Sequence, residues 1–145
     1  MKILNEMKLE FLSRSANEAL ARSAASQFAA QLDPTLEELG DIKTSVSEAV
    51  TNAVVHAYPD SLGIIRLQAR VLEGGILEIT VRDKGVGIED IDQARTPLYT
   101  TGGEERSGMG FTIMESFMDR LRVRSAAGRG TTVVMRKRVM PRLLR

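Results

Sequence analysis

Two stretches of the chain alternate apolar and polar residues with a period of two, and a short glycine turn joins them. Ile65, Leu67, Ala69 and Val71 alternate with Arg66, Gln68 and Arg70. After Glu73-Gly74-Gly75, Leu77, Ile79 and Val81 alternate with Glu78, Thr80 and Arg82. A period of two is the side-chain repeat of a β-strand, and paired glycines between two such runs signal a hairpin. Each strand therefore carries one apolar and one polar face, the pattern of an antiparallel sheet covered on one side only. The rest of the chain has to supply the cover for that apolar face.

Helical segments are available for it. Residues 15–31 are rich in alanine, with Ala19, Ala24, Phe28 and Leu32 suited to one buried stripe. Asp33-Pro34-Thr35 ends that helix and can start the next. A long helix is expected from about Leu36 to Tyr58, stopped by Pro59-Asp60. Met7 to Leu12 read as a first strand. Asp83 to Gly87 is a glycine-punctuated loop, Ile88 to Ala94 a short helix, and Arg95 to Gly110 a mobile loop. Phe111 to Phe117 reads as a helix. Arg120 to Ser125 and Thr131 to Val139 form a closing hairpin across Gly128-Arg129-Gly130. This order predicts an α+β fold in one domain, residues 1–145. It is a two-layer α/β sandwich whose mixed, mostly antiparallel sheet is covered on one face by helices.

Composition narrows the chemistry. The 145 residues include no cysteine, which excludes disulfides, thiolate metal sites and a cysteine nucleophile. No apolar run is long enough to span a bilayer, and the N-terminal residues lack the apolar stretch of a signal peptide. A cytoplasmic protein is the expectation. A net charge of +1 gives no global field toward nucleic acid, so no direct nucleic-acid partner is expected. Basic residues do bunch near the end, at Arg129, Arg136, Lys137, Arg138, Arg142 and Arg145, and read as a solvated tail.

Three segments carry residues suited to a ligand. On the long helix, Glu48, Asn52 and His56 recur at steps of four, which puts them along one face. Their neighbours Val46, Ala49, Val50, Ala53, Val54, Val55 and Ala57 are small or apolar, so the helix should be packed. A carboxylate and an amide there need either a solvent-exposed helix edge or a pocket with a polar ligand. Next, Asp83-Lys84-Gly85-Val86-Gly87 follows a strand directly. An acid at a strand end can accept a hydrogen bond from an exocyclic amine such as that of adenine, and glycines permit close backbone approach. Third, in Arg106-Ser107-Gly108-Met109-Gly110-Phe111 a glycine-rich loop opens a helix, an arrangement that can seat an anion such as phosphate. No Walker sequence exists, nor the His-Arg-Asp or Asp-Phe-Gly signatures of the eukaryotic-type kinases.

In order and spacing these segments resemble the ATP-binding superfamily of gyrase B, Hsp90, histidine kinases and MutL. Glu48, Asn52 and His56 resemble its N box, Asp83, Gly85 and Gly87 its first glycine box, and Gly108 and Gly110 its second. Thr132 resembles the threonine that the family often places near the adenine. Within the superfamily the chain is similar to the bacterial anti-sigma serine-protein kinases, in particular the sporulation anti-sigma F branch. The likeness lies in residues 31–35, 47–53 and 106–115 and extends over nearly the whole chain. A histidine kinase carries its phospho-accepting histidine on a separate helical module, whereas the one histidine here is His56, inside the N box.

The resemblance implies a Bergerat-type fold that binds ATP or ADP with Mg²⁺. It implies Glu48 as catalytic base, Asn52 as metal ligand and Asp83 as the reader of the adenine amine. Gly85, Gly87, Thr100, Thr101, Arg106, Gly108, Met109, Gly110 and Thr132 are the further nucleotide contacts it implies. The activity implied is a protein serine kinase acting on an anti-anti-sigma protein. A homodimer would bind and inhibit a sigma factor, sigma F, with Arg22 among the contacting residues. His56 is expected to be a packed neighbour of the site, and the segment from Pro97 to Arg106 a lid that orders on ATP. A nucleotide-gated sigma-binding clamp without significant catalysis, and a general-stress anti-sigma kinase, use the same site residues.

Overall fold

A computed structural model describes residues 1–87 and 110–139 of the chain. The elements run β1 (Ile3–Leu12), α1 (Ala16–Ala29), α2 (Leu36–Asn52), β2 (Ile64–Leu72), β3 (Ile76–Asp83), α3 (Gly110–Phe117), β4 (Arg120–Ala126) and β5 (Gly130–Arg138). One five-stranded sheet has the order β1-β2-β3-β5-β4. Among the described residues every pairing in it is antiparallel, in line with the mostly antiparallel sheet expected.

The hairpin between β2 and β3 forms in the register its alternation demands, with Leu67 opposite Val81 and Ala69 opposite Ile79. Ile65, Leu67, Ala69, Leu77, Ile79, Val81, Val133 and Met135 are buried on one sheet face. They meet Ile42, Val46, Ala49 and Val50 of α2. β1 begins at Ile3, four residues earlier than the sequence suggests, because it pairs with β2 up to Leu72 across a register shift near Ile3 and Asn5. Those first residues are exposed, so no apolar alternation announces them.

The buried stripe of α1 is Ala21, Ala25 and Ala29, with Ala24, Phe28 and Leu32 flanking it half-buried. Ala19, expected in the stripe, is exposed. Small residues at i, i+4 and i+8 let α1 lie close against α2 and the sheet. The chain leaves α1 through a short 3₁₀ turn, Ala30–Leu32, and Asp33 takes a left-handed conformation with φ of 55°. Thr35 then caps α2. Its hydroxyl accepts from the Glu38 amide at 3.1 Å, and the Glu38 carboxylate accepts from the Thr35 amide at 2.8 Å.

Part of the expected basic tail is internal structure. Arg136 lies in β5, and its Nε donates to Glu78 at 2.8 Å. Lys137 is buried and donates from Nζ to the Phe117 carbonyl at the end of α3, at 2.7 Å, with Asp41 of α2 3.4 Å away. A cation at a helix C-terminus is favoured by the exposed carbonyls there. The helix expected over 88–94, most of the loop expected over 95–110, and Arg142 and Arg145 lie outside the described residues.

Candidate functional site

Glu48 and Asn52 stand on the last turns of α2, four residues apart and both half-buried. The helix then changes. Ala53–Ala57 form a π turn, in which hydrogen bonds reach five residues back. Each residue of such a turn advances through a smaller angle than in an α-helix. His56 lies within this turn and is half-buried.

Gly110, the first residue of α3, faces this pair. A side-chain carbon at position 110 would lie 3.1 Å from Asn52 Nδ2, 3.3 Å from Asn52 Oδ1 and 3.2 Å from Glu48 Oε2. The carboxylate and the amide thus converge on the bare start of a helix. Amides in the first turn of a helix have no intrahelical acceptor and favour anions. Phe111 and Met114 anchor α3 in the core, so this junction is held by apolar packing.

The loop after β3 is clamped from two sides. The Val86 amide donates to the Ala57 carbonyl at the end of the π turn, at 2.9 Å, and the Gly128 amide donates to the Val86 carbonyl at 2.7 Å. The Lys84 amide donates to the Tyr58 hydroxyl at 2.8 Å. A side chain at Gly85 would overlap the Ala57 carbonyl, and one at Gly87, where φ is 78°, would overlap the Ala126 carbonyl. Both glycines are thereby required by close packing of the loop on its own neighbours. That requirement stands independently of the ligand approach inferred from the sequence.

Asp83, the last residue of β3, follows the alternation of Leu77, Ile79 and Val81. It projects to the helix-covered face and is buried. Its Oδ1 accepts from the Gly85 amide at 2.9 Å and from the Thr131 amide at 3.2 Å. Burial raises its pKa above the ordinary carboxylate value, and the two amide bonds oppose that rise. A buried, hydrogen-bonded acid at a strand end can accept one further donor with a defined direction.

Thr131 is the residue that sequence reasoning missed here. It lies opposite Asp83 in the β3–β5 ladder, and its hydroxyl is 2.8 Å from that of Ser125. Thr132, the expected contact, pairs with Arg82 and belongs to the opposite face, which no described helix covers. The signal that separates them is the alternation of Val133 and Met135: Thr131 is in phase with these buried residues and Thr132 is not.

Arg22 is placed on α1, away from these groups. It lies 3.5 Å from Glu18 one turn earlier and donates to the Ser47 hydroxyl of α2 at 3.5 Å. Ser47 also donates to Glu18. Thr100, Thr101, Arg106, Gly108 and Met109 lie outside the described residues.

Comparison with known proteins finds one family over most of the chain. The family model described as the histidine kinase-like ATPase domain matches residues 11–137. The anti-sigma F factor of Clostridium novyi (strain NT) is 55% identical over 137 residues, which cover 93% of this chain and 95% of that protein. The anti-sigma F factor of Geobacillus thermodenitrificans (strain NG80-2) is 57% identical over 137 residues, covering 93% of each. Among solved structures, the RsbU and RsbW domains of a Mycobacterium tuberculosis protein share the fold. Their TM-score is 0.68 at 19% identity, over 93% of this chain and 32% of that one. A blue-light activated histidine kinase of Erythrobacter litoralis aligns with a TM-score of 0.61 and 27% identity, over 86% of this chain and 41% of that one.

Proposed function

From a chain that belongs to the histidine kinase-like ATPase domain family, and within it to the anti-sigma F factors, we infer a nucleotide-driven protein serine kinase that also restrains a sigma factor. The observation that carries this reading is the convergence of Glu48 and Asn52 on the side-chain-free start of α3. A carboxylate and an amide oxygen beside a helix N-terminus suit a magnesium–phosphate group and a nearby nucleophile.

In this reading ATP is the phosphoryl donor. Asp83 accepts a hydrogen bond from the adenine amine, in a geometry held by its two bonds to the Gly85 and Thr131 amides. Thr131, rather than Thr132, flanks the base. Asn52 would offer a side-chain oxygen to Mg²⁺, which when bound would offset phosphate charge. The first amides of α3 face the phosphates. Glu48 takes the proton from the hydroxyl of a serine on an anti-anti-sigma protein. The serine oxygen forms its bond to the terminal phosphorus as the bond to the leaving ADP oxygen breaks. Thr100, Thr101, Arg106, Gly108 and Met109 complete the phosphate side. A sporulation sigma factor of the sigma F kind is the partner, held by a homodimer of this chain in its nucleotide-bound form, with Arg22 at the contact. The location proposed is the cytoplasm; among the described residues no helix is long and apolar enough to cross a membrane.

The test is incubation with labelled ATP, Mg²⁺ and candidate small anti-anti-sigma proteins, followed by phosphosite mapping. Label on one serine of the partner, lost with Glu48→Gln while ATP binding persists, is the expected result. Transfer at the wild-type rate by Glu48→Gln removes Glu48 as base. Nucleotide binding and sigma capture without any transfer reduce the protein to a clamp.

A further inference from the structure

The polar face of the sheet, opposite the site described above, carries an uneven charge. Its side chains form three rows across the strands. One row is Arg70, Glu78, Arg136 and Arg120; the next is Gln68, Thr80, Val134 and Arg122; the third is Arg66, Arg82, Thr132 and Arg124. On the β1 side the charge is neutralised. Glu10 holds Arg66, Glu6 holds Arg70 at 2.8 Å, and Glu78 holds Arg136 at 2.7 Å. Toward β4 it is not. Arg82, Arg120, Arg122 and Arg124 make no ion pair among the described residues.

These four arginines line one concavity of about 640 Å³, together with Thr80 and Thr132. Charged side chains on an edge strand commonly serve to prevent strand-to-strand association, and β4 is an edge strand. That purpose does not account for Arg82, which lies on β3 in the middle of the sheet. Like charges gathered on one face of a sheet repel one another unless an anion offsets them.

Size selects the kind of anion. From Arg120 to Arg124 the groove runs about 13 Å along β4, and the four strands from β2 to β4 span about 14 Å across. That footprint, on the order of 190 Å² from these strand spacings, is far below the roughly 800 Å² that each partner of a stable protein complex buries. The volume lies within the range of small-molecule sites. Guanidinium forks and threonine hydroxyls are donors matched to phosphate oxygens.

We propose that this groove is a second anion site, which binds a compact polyphosphate whose charge matches the four arginines that pair with no carboxylate among the described residues. Its ligand chemistry is a short chain of phosphates, free or attached to a nucleoside. The site is independent of the nucleotide pocket, because the sheet separates it from Glu48, Asn52 and the Asp83 carboxylate. Arg82 and Thr132 are the chain neighbours of Asp83 and Thr131, so the two sites share the β3–β5 ladder.

Calorimetric titration of the full chain with inorganic tripolyphosphate, without added metal, tests the proposal. The expected result is one tripolyphosphate per chain. Affinity should fall at least about tenfold in the double variant Arg122→Gln/Arg124→Gln, as expected for lost charge-assisted bonds. It should be unchanged in Asn52→Ala. A parallel titration with a nucleoside tetraphosphate distinguishes the source: tighter binding with the same arginine dependence assigns a nucleotide, and equal binding assigns the phosphate chain alone. Absence of binding overturns the proposal, as does binding lost in Asn52→Ala but kept in the arginine variant. A short single-stranded DNA that outcompetes tripolyphosphate through the same arginines would replace it with an extended nucleic-acid backbone. A dimer that dissociates in the arginine variant, with no anion bound by the wild type, would assign the face to a second copy of the chain.

Discussion

Replacing Gly110 with alanine separates the needs of the fold from those of the site. The added methyl would sit 3.1 Å from Asn52 Nδ2 and 3.2 Å from Glu48 Oε2. Comfortable carbon contacts are about 3.5–4.0 Å, so both side chains must retreat by roughly half an ångström. That equals the tolerance of about 0.5 Å within which a binding constellation works. The fold itself has little reason to object. Gly110 does not hold a positive φ, and alanine is a better helix former by up to about 1 kcal/mol. The expected outcome is a Tm equal to that of the wild type or a few degrees higher, with affinity for ADP·Mg²⁺ reduced about 10- to 100-fold. That loss corresponds to about 1.4–2.8 kcal/mol. Thermal unfolding without nucleotide and calorimetry with ADP·Mg²⁺ give the two readings. Wild-type nucleotide affinity in Gly110→Ala would refute the claim that this space belongs to the ligand. A Tm lowered by more than several degrees would show that the glycine serves the fold.

Three further substitutions have definite expectations. Gly85→Ala drives a methyl into the Ala57 carbonyl and should cost about 1–3 kcal/mol by overpacking, read as a clear fall in Tm; an unchanged Tm would contradict the clamped loop. Asp83→Asn should abolish adenine-nucleotide binding yet stabilise the unliganded chain at neutral pH. Burial raises the folded pKa of Asp83 above its unfolded value of 3.8, so its contribution is most favourable below that value and is lost as pH rises through the folded pKa. The advantage of the asparagine variant should therefore vanish in acid, and denaturant melts across pH that show a constant difference would contradict it. Thr35→Ala removes the cap of α2 and should cost about 1 kcal/mol in denaturant unfolding, with nucleotide affinity unchanged; a loss of affinity would mean that α2 shifts as a unit.

What the sequence made legible follows the strength of its local signals. The period-two alternation from Ile65 to Val81 predicts strands, register and the one-sided sheet, because one buried face permits no other register. Asp33-Pro34-Thr35 marks the break before α2, to which the structure adds the reciprocal bonds of Thr35 with Glu38. The alanine-rich α1 gives less contrast: where most residues are small, exposed Ala19 and buried Ala21 look alike. The π turn at Ala53–Ala57 ends where Val86 docks on the Ala57 carbonyl, a contact between segments far apart in the chain. Thr131 and Thr132 are chemically identical neighbours, and only the strand register assigns one to each face. The arginine rows likewise become visible only when the strand order sets β4 beside β5 and β5 beside β3. Glu48 and Asn52 were accessible from their spacing and Asp83 from its place directly after a strand, while the space that Gly110 leaves between the first two depends on how α3 packs on α2.

The central claim is that Glu48, Asn52 and Asp83 line one nucleotide pocket with divided labour. Equilibrium titration of the wild type, Glu48→Gln and Asn52→Ala with ADP and Mg²⁺, by calorimetry, tests it most directly. One nucleotide per chain is expected for the wild type and for Glu48→Gln with similar affinity, and a loss of at least about tenfold for Asn52→Ala. No binding by the wild type, or binding by Asn52→Ala that equals it with metal present, contradicts the account.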